Sequence, residues 1–162
     1  MTDETIAKRE LRELPQPEPM PDMSAYVRER ELCLASGSQK KINYDRYIAS
    51  ARRSSNVDYL PIKLDIENVS RCNFRCTMCQ VSEWHKGQRA RDMTFEEFKQ
   101  IIDEQYGLVE IKLQGMGEPM IQREPFFEMI KYARSKHIWV RTVTNASLLH
   151  LKGNYKKIID SG

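Results

Sequence analysis

The chain has 162 residues, 40% hydrophobic and 30% charged, with a formal net charge of +3. That length supports a domain with a real core, and the balance is that of an ordinary soluble protein. The charge excess is too small to argue for nucleic acid or a membrane surface. No apolar run approaches the roughly 20 residues of a membrane-spanning helix, and the N-terminus lacks the apolar stretch of a secretory signal, so a cytoplasmic protein is expected.

Residues 1–23 read as a disordered or loosely attached tail, because Pro15, Pro17, Pro19 and Pro21 alternate with other residues and remove backbone donors. Residues 24–36 suit a short helix with Ser24 as cap and Gly37 past its end; its apolar face, around Val27 and Leu34, is thin. In residues 43–53, Tyr44, Tyr47, Ile48 and Ala51 recur at helical spacing. Residues 24–58 are therefore expected to form a helical N-terminal extension, with residues 59–162 as the main domain. Cys33 stands apart from the other cysteines and reads as a small buried or half-buried thiol.

Residues 60–67 alternate strictly, with Leu60, Ile62, Leu64 and Ile66 on one face and Lys63, Asp65 and Glu67 on the other, which predicts a strand. Just past it comes Cys72-Asn73-Phe74-Arg75-Cys76-Thr77-Met78-Cys79, three of the chain's 4 cysteines spaced C-x3-C-x2-C. Thiolates so close in sequence can meet at one inorganic centre, and in a chain without an export signal metal is the better reading than disulfides. An iron–sulfur cubane is usually held by four thiolates, so three leave one iron open to a bound molecule. The same triplet with His85 as fourth donor would suit zinc, although zinc sites usually pair their ligands as two separated halves.

Residues 80–93 form a long loop with Trp84, His85, Lys86, Arg89 and Arg91. Thr94 and Glu97 read as a capping box before a helix with Phe95, Phe98, Ile101 and Ile102 inward. A second strand, 108–114, runs into Gly115-Met116-Gly117-Glu118-Pro119, and a helix follows near Pro125. A third strand, 138–144, ends at Thr144-Asn145; Ser147 is expected to cap a last helix with Leu148, Leu151, Tyr155 and Ile158 inward, weakened by Gly153. Strand and helix alternate three times, so an α/β fold with parallel strands is expected, with all the motif segments gathered where strands end.

The cysteine triplet, the glycine–glutamate–proline turn and the Thr-Asn pair, in this order, resemble radical S-adenosylmethionine (radical SAM) enzymes, most closely the subgroup that often carries a C-terminal auxiliary cluster domain. The resemblance covers roughly residues 60–162. It implies a truncated partial (β/α) barrel: about three β/α units of that family's six-unit barrel. The missing half would be supplied by further chain or by a partner chain completing the barrel.

By that resemblance Cys72, Cys76 and Cys79 ligate a [4Fe-4S] cluster, and S-adenosyl-L-methionine binds at the open iron. An electron donor would reduce the cluster, the cosubstrate would be cleaved to a 5′-deoxyadenosyl radical, and the radical would take a hydrogen atom from an unidentified substrate. Met78 stands where the family places a hydrophobic residue, often aromatic, near the adenine. Gly115 and Gly117 would offer backbone contacts, with Met116 in place of a glycine. Glu118 is either an acceptor for the cosubstrate's ammonium or a brace for this edge. Thr144 and Asn145 would either bond the cosubstrate or only form a turn. Asp65 and Glu67 would brace Arg71 or Arg75, or be solvated. The alternative function is a truncated cluster-binding module without turnover.

Overall fold

A computed structural model of the chain describes residues 23–50, 56–84 and 90–162. The proline-rich tail, save its last residue, lies outside the described residues, as do Ala51 and His85.

Among the described residues two helices precede the sheet, α1 (Met23–Ala35) and α2 (Ser38–Ala49). Then come β1 (Lys63–Ile66), α3 (Phe95–Glu104), β2 (Glu110–Leu113), α4 (Glu124–Ser135), β3 (Trp139–Arg141) and α5 (Asn154–Asp160), with short 3-10 turns between. Among the described residues the strands form one open sheet in the order β1-β2-β3, parallel throughout. The α/β class is as expected.

Register explains the two faces, because side chains paired across parallel strands share a side. Lys63, Glu110 and Trp139 are in line on one side, as are Asp65, Lys112 and Arg141; Leu64, Ile111 and Val140 lie on the other. The apolar side carries α3 and α4, whose Phe98, Ile102, Phe126 and Ile130 join Ile66, Ile111 and Leu113 in the core. On the polar side Glu110, 7% exposed, receives Lys63 from β1 and Arg141 from β3, each at 3.2 Å. One buried carboxylate thus spans all three strands.

The capping box is present: Thr94 Oγ1 accepts from the Glu97 N–H and Glu97 accepts from the Thr94 N–H. Arg91 also bonds Glu97, and with the Thr94 donors it holds that carboxyl down to a pKa of about 2.

The two N-terminal helices close the end of the sheet where the strands begin. Tyr26 meets Trp139, the first residue of β3, edge-on at 6.2 Å. Lys40 donates to the Leu108 carbonyl, just before β2, at 2.9 Å. Asn43 exchanges two bonds with the backbone of Leu60, just before β1. Cys33 is fully buried and donates to the same Leu108 carbonyl, and its burial pushes the thiol's pKa up.

Four expectations are corrected. Helix α2 ends at Ala49 and Ile48 is 62% exposed, since the extension docks through the polar Asn43 rather than an apolar stripe. The last helix does not start at Ser147: a turn and a 3-10 segment precede α5, because Lys152 and Gly153 both take left-handed backbone. That break turns Leu151 and Tyr155 outward, at 44% and 58% exposed. Strand β3 ends at Arg141 and not at residue 144, so Thr144 and Asn145 stand in irregular chain beyond it. Of the two readings for Asp65 and Glu67 the brace is not formed, since Arg71 pairs with Asp92 and Arg75 donates to the Val81 carbonyl, while both carboxylates are exposed.

Candidate functional site at the strand ends

The residues singled out from the sequence lie at the opposite edge of the sheet, past the C-terminal ends of the strands. The stem leading to the cysteines, Asn68, Val69 and Ser70, is buried. It is fastened to the returning segment by three contacts: Met93 N–H to the Asn68 carbonyl at 2.9 Å, Ser70 Oγ to the Ala90 carbonyl at 3.1 Å, and a two-pronged pairing of Arg71 with Asp92. Asp92 hydrogen bonding raises the Arg71 pKa above its ordinary value, so the guanidinium stays charged. The cysteine loop therefore leaves and re-enters the fold through a narrow neck.

The glycine turn is pressed against this neck. Gly117 lies so near the Val69 and Arg71 carbonyls that any side chain there would collide with backbone. The Glu118 N–H donates to the Arg71 carbonyl at 3.0 Å. Gly115 packs against the Glu67 side chain, whose carboxylate accepts from the Met116 N–H at 2.7 Å. Gln122, in the next 3-10 turn, accepts from Asn68 at 2.7 Å and donates to the Met93 carbonyl.

Glu118 itself is 2% exposed. Its Oε1 accepts from Thr144 Oγ1 at 2.7 Å and from the Met120 N–H at 3.2 Å, and its Oε2 accepts from the Asn145 N–H at 2.8 Å. The carboxylate ties the segment after β3 to the segment after β2. Asn145 carries the link onward, its amide donating to Asn73 Oδ1 at 3.1 Å and to Cys72 Sγ at 3.8 Å. Asn73 in turn donates to Ser147 Oγ at 2.8 Å. The segments foreseen as separate motifs thus form one connected network.

Cys72, Cys76 and Cys79 are free thiols; Cys76 is exposed and the other two half-buried. Cys72 Sγ also accepts from the Phe74 N–H at 3.3 Å. Among the described residues no three Cys, His, Asp or Glu side chains are gathered closely enough to hold a metal ion as they stand. The donor set fits an iron–sulfur group nonetheless. Three unpaired, accessible sulfurs lie on one exposed loop, and two N–H donors already face one of them, as they would a thiolate ligand. Met78, before the third cysteine, is 95% exposed. Beside the neck runs an open groove of about 710 Å³, lined by Arg71, Asn73, Arg123 and Lys152 among others.

A family model described as the Radical SAM superfamily matches residues 67–162. The chain belongs to that superfamily. Radical SAM relatives include a tungsten-containing aldehyde ferredoxin oxidoreductase cofactor-modifying protein from Pyrococcus furiosus, 32% identical over 89 residues. Another is the mycofactocin maturase MftC from Mycolicibacterium smegmatis, 37% identical over 90 residues. The matches take in 53% and 52% of this chain but only 24% and 21% of those relatives, so it spans a minor part of their length.

Sequence reasoning missed Asn73, Asp92 and Gln122. Asn73 had a signal, since it follows the first cysteine directly. Asp92 and Gln122 had none, because their partners are remote in sequence.

Proposed function

We propose that this chain is the N-terminal half of a radical SAM core, the first three β/α units of a partial barrel, and that Cys72, Cys76 and Cys79 hold a [4Fe-4S] cluster. When bound, the cluster would supply the electron that cleaves S-adenosyl-L-methionine into methionine and a 5′-deoxyadenosyl radical able to take a hydrogen atom from a substrate. The observation that carries this reading is the bonded network that brings Cys72, Glu118 and Thr144 with Asn145 to one edge.

In this reading the side chains orient and shield rather than react. Gly115 and Gly117 let the turn press against Glu67 and the stem of the cysteine loop, which sets the turn's backbone beside the cysteines for contacts with the cosubstrate's aminoacyl end. Glu118 has both oxygens engaged inside the fold, so it acts as a positioning residue through Thr144 and Asn145. Met78 offers an apolar surface beside the third cysteine.

The test is anaerobic reconstitution with iron and sulfide, followed by reduction with S-adenosyl-L-methionine present. About four irons per chain and formation of 5′-deoxyadenosine are expected. Cys→Ser changes at positions 72, 76 and 79 should each abolish stable loading. A colourless, iron-free chain after reconstitution overturns the reading.

The second reading, a cluster-binding module without turnover, is favoured by the small share of the relatives' length that the chain covers. It predicts iron uptake without 5′-deoxyadenosine until the remaining barrel strands are supplied.

A further inference from the structure

The Asn145 side chain has no bonding capacity to spare. A primary amide offers two N–H donors and two acceptor lone pairs. Both donors are used, on Asn73 Oδ1 at 3.1 Å and Cys72 Sγ at 3.8 Å. Both lone pairs are used too, by the Ser147 N–H at 3.0 Å and Ser147 Oγ at 2.6 Å. Its backbone is fixed by Glu118. Among the described residues Cys72 is the cysteine of the triplet whose sulfur receives such donors; none is recorded for Cys76 or Cys79. A side chain so committed is unsuited to binding a cosubstrate that comes and goes. It is suited to holding one sulfur in place.

We propose that Asn145 is a positioning residue for the first cysteine: its amide hydrogen bond fixes the Cys72 sulfur and, once a cluster is bound, raises the cluster's reduction potential. This deepens the proposed function and rests on it. The physical reason is that reduction adds negative charge to the cluster and its thiolates, and a donor aimed at one of those sulfurs stabilises that charge. One neutral hydrogen bond is worth a factor of roughly 3 to 10 in such an equilibrium.

Two measurements on the full chain test the inference. In the iron-free protein, the Asn145 side-chain amide signals are identified by their loss in Asn145→Asp. They should shift in Cys72→Ser and stay in place in Cys76→Ser. In the reconstituted protein, wild type, Asn145→Asp and Asn145→Leu are titrated electrochemically under dithionite with mediators and followed by electron paramagnetic resonance.

Asn145→Asp keeps an oxygen toward Ser147, loses the donor and adds a negative charge; Asn145→Leu loses donor and acceptor without adding charge. Both variants should shift to more negative potential, Asn145→Leu by a factor of roughly 3 to 10 in the reduced-to-oxidised ratio, or at most about 59 mV for one electron. Asn145→Asp should shift further because of its charge. Unchanged potentials in variants that load iron overturn the inference and leave the cluster reading standing; so do amide signals indifferent to Cys72. If wild type binds no iron the cluster reading fails, and the claim about potential fails with it.

Discussion

Glu118 shows what a buried carboxylate does when the fold, rather than a ligand, satisfies it. Three donors from two chain segments converge on it, and its removal would strand the buried Met120 N–H and release the half-buried Thr144 and Asn145. Glu118→Ala should therefore cost about 1–3 kcal/mol in urea unfolding of the iron-free chain, and Glu118→Gln, which keeps one acceptor oxygen, should cost less. Gly117→Ala drives a methyl into the Val69 and Arg71 carbonyls and should cost about 1–3 kcal/mol by the same measurement. The place of the cysteines and glycines at one edge was legible in the sequence because each stretch directly follows a strand, and glycine permits the close approach found at Gly117. That Glu118 is a brace was only one of two readings, because Thr144 and Asn145 stand 26 and 27 residues away. Asn73 lies 72 residues from Asn145, and no spacing rule joins them.

At the scale of elements, α3 was readable at both levels that matter, its cap and its face. Thr94→Ala should cost about 1 kcal/mol, seen as a lower thermal midpoint. Glu97 adds an acid sensitivity. Its folded pKa of about 2 lies below the ordinary 4.5, so its contribution is fully present above about 4.5 and fades as pH falls toward 2. Removing its main partner through Arg91→Ala should flatten that part of the stability profile. Element α5 was misread because helical spacing of Leu148, Leu151 and Tyr155 ignores where the backbone must turn. Two successive left-handed residues, Lys152 and Gly153, interrupt the periodicity and reset the buried face. Strand β3 was expected to run to residue 144; it stops at Arg141, and the Thr144 and Asn145 side chains bond Glu118 and Cys72 from irregular chain beyond it.

Over the whole molecule, the parallel order of the strands and the gathering of motifs at one edge followed from alternation alone, since parallel crossovers put all loops of one kind on one side. How the N-terminal helices dock was not legible, because it relies on scattered contacts to strand starts, Tyr26 on Trp139, Lys40 on Leu108 and Asn43 on Leu60, and not on an apolar stripe. Asn43 is 4% exposed and satisfies both backbone groups of Leu60. Asn43→Ala should loosen the extension, giving faster proteolysis within residues 23–50 while the three-stranded sheet keeps its circular dichroism. Gly107→Ala, whose methyl would strike the Asn43 amide, should act in the same direction.

The narrow neck below the cysteines has a consequence for wear. Its fasteners are an amide-to-carbonyl bond, a hydroxyl and an ion pair, and none of them is a sulfur. Loss of the proposed cluster would thus leave the scaffold around it fastened. A chain so emptied would keep its shape, and with its thiols reduced it would ask for fresh iron and sulfide rather than for new synthesis.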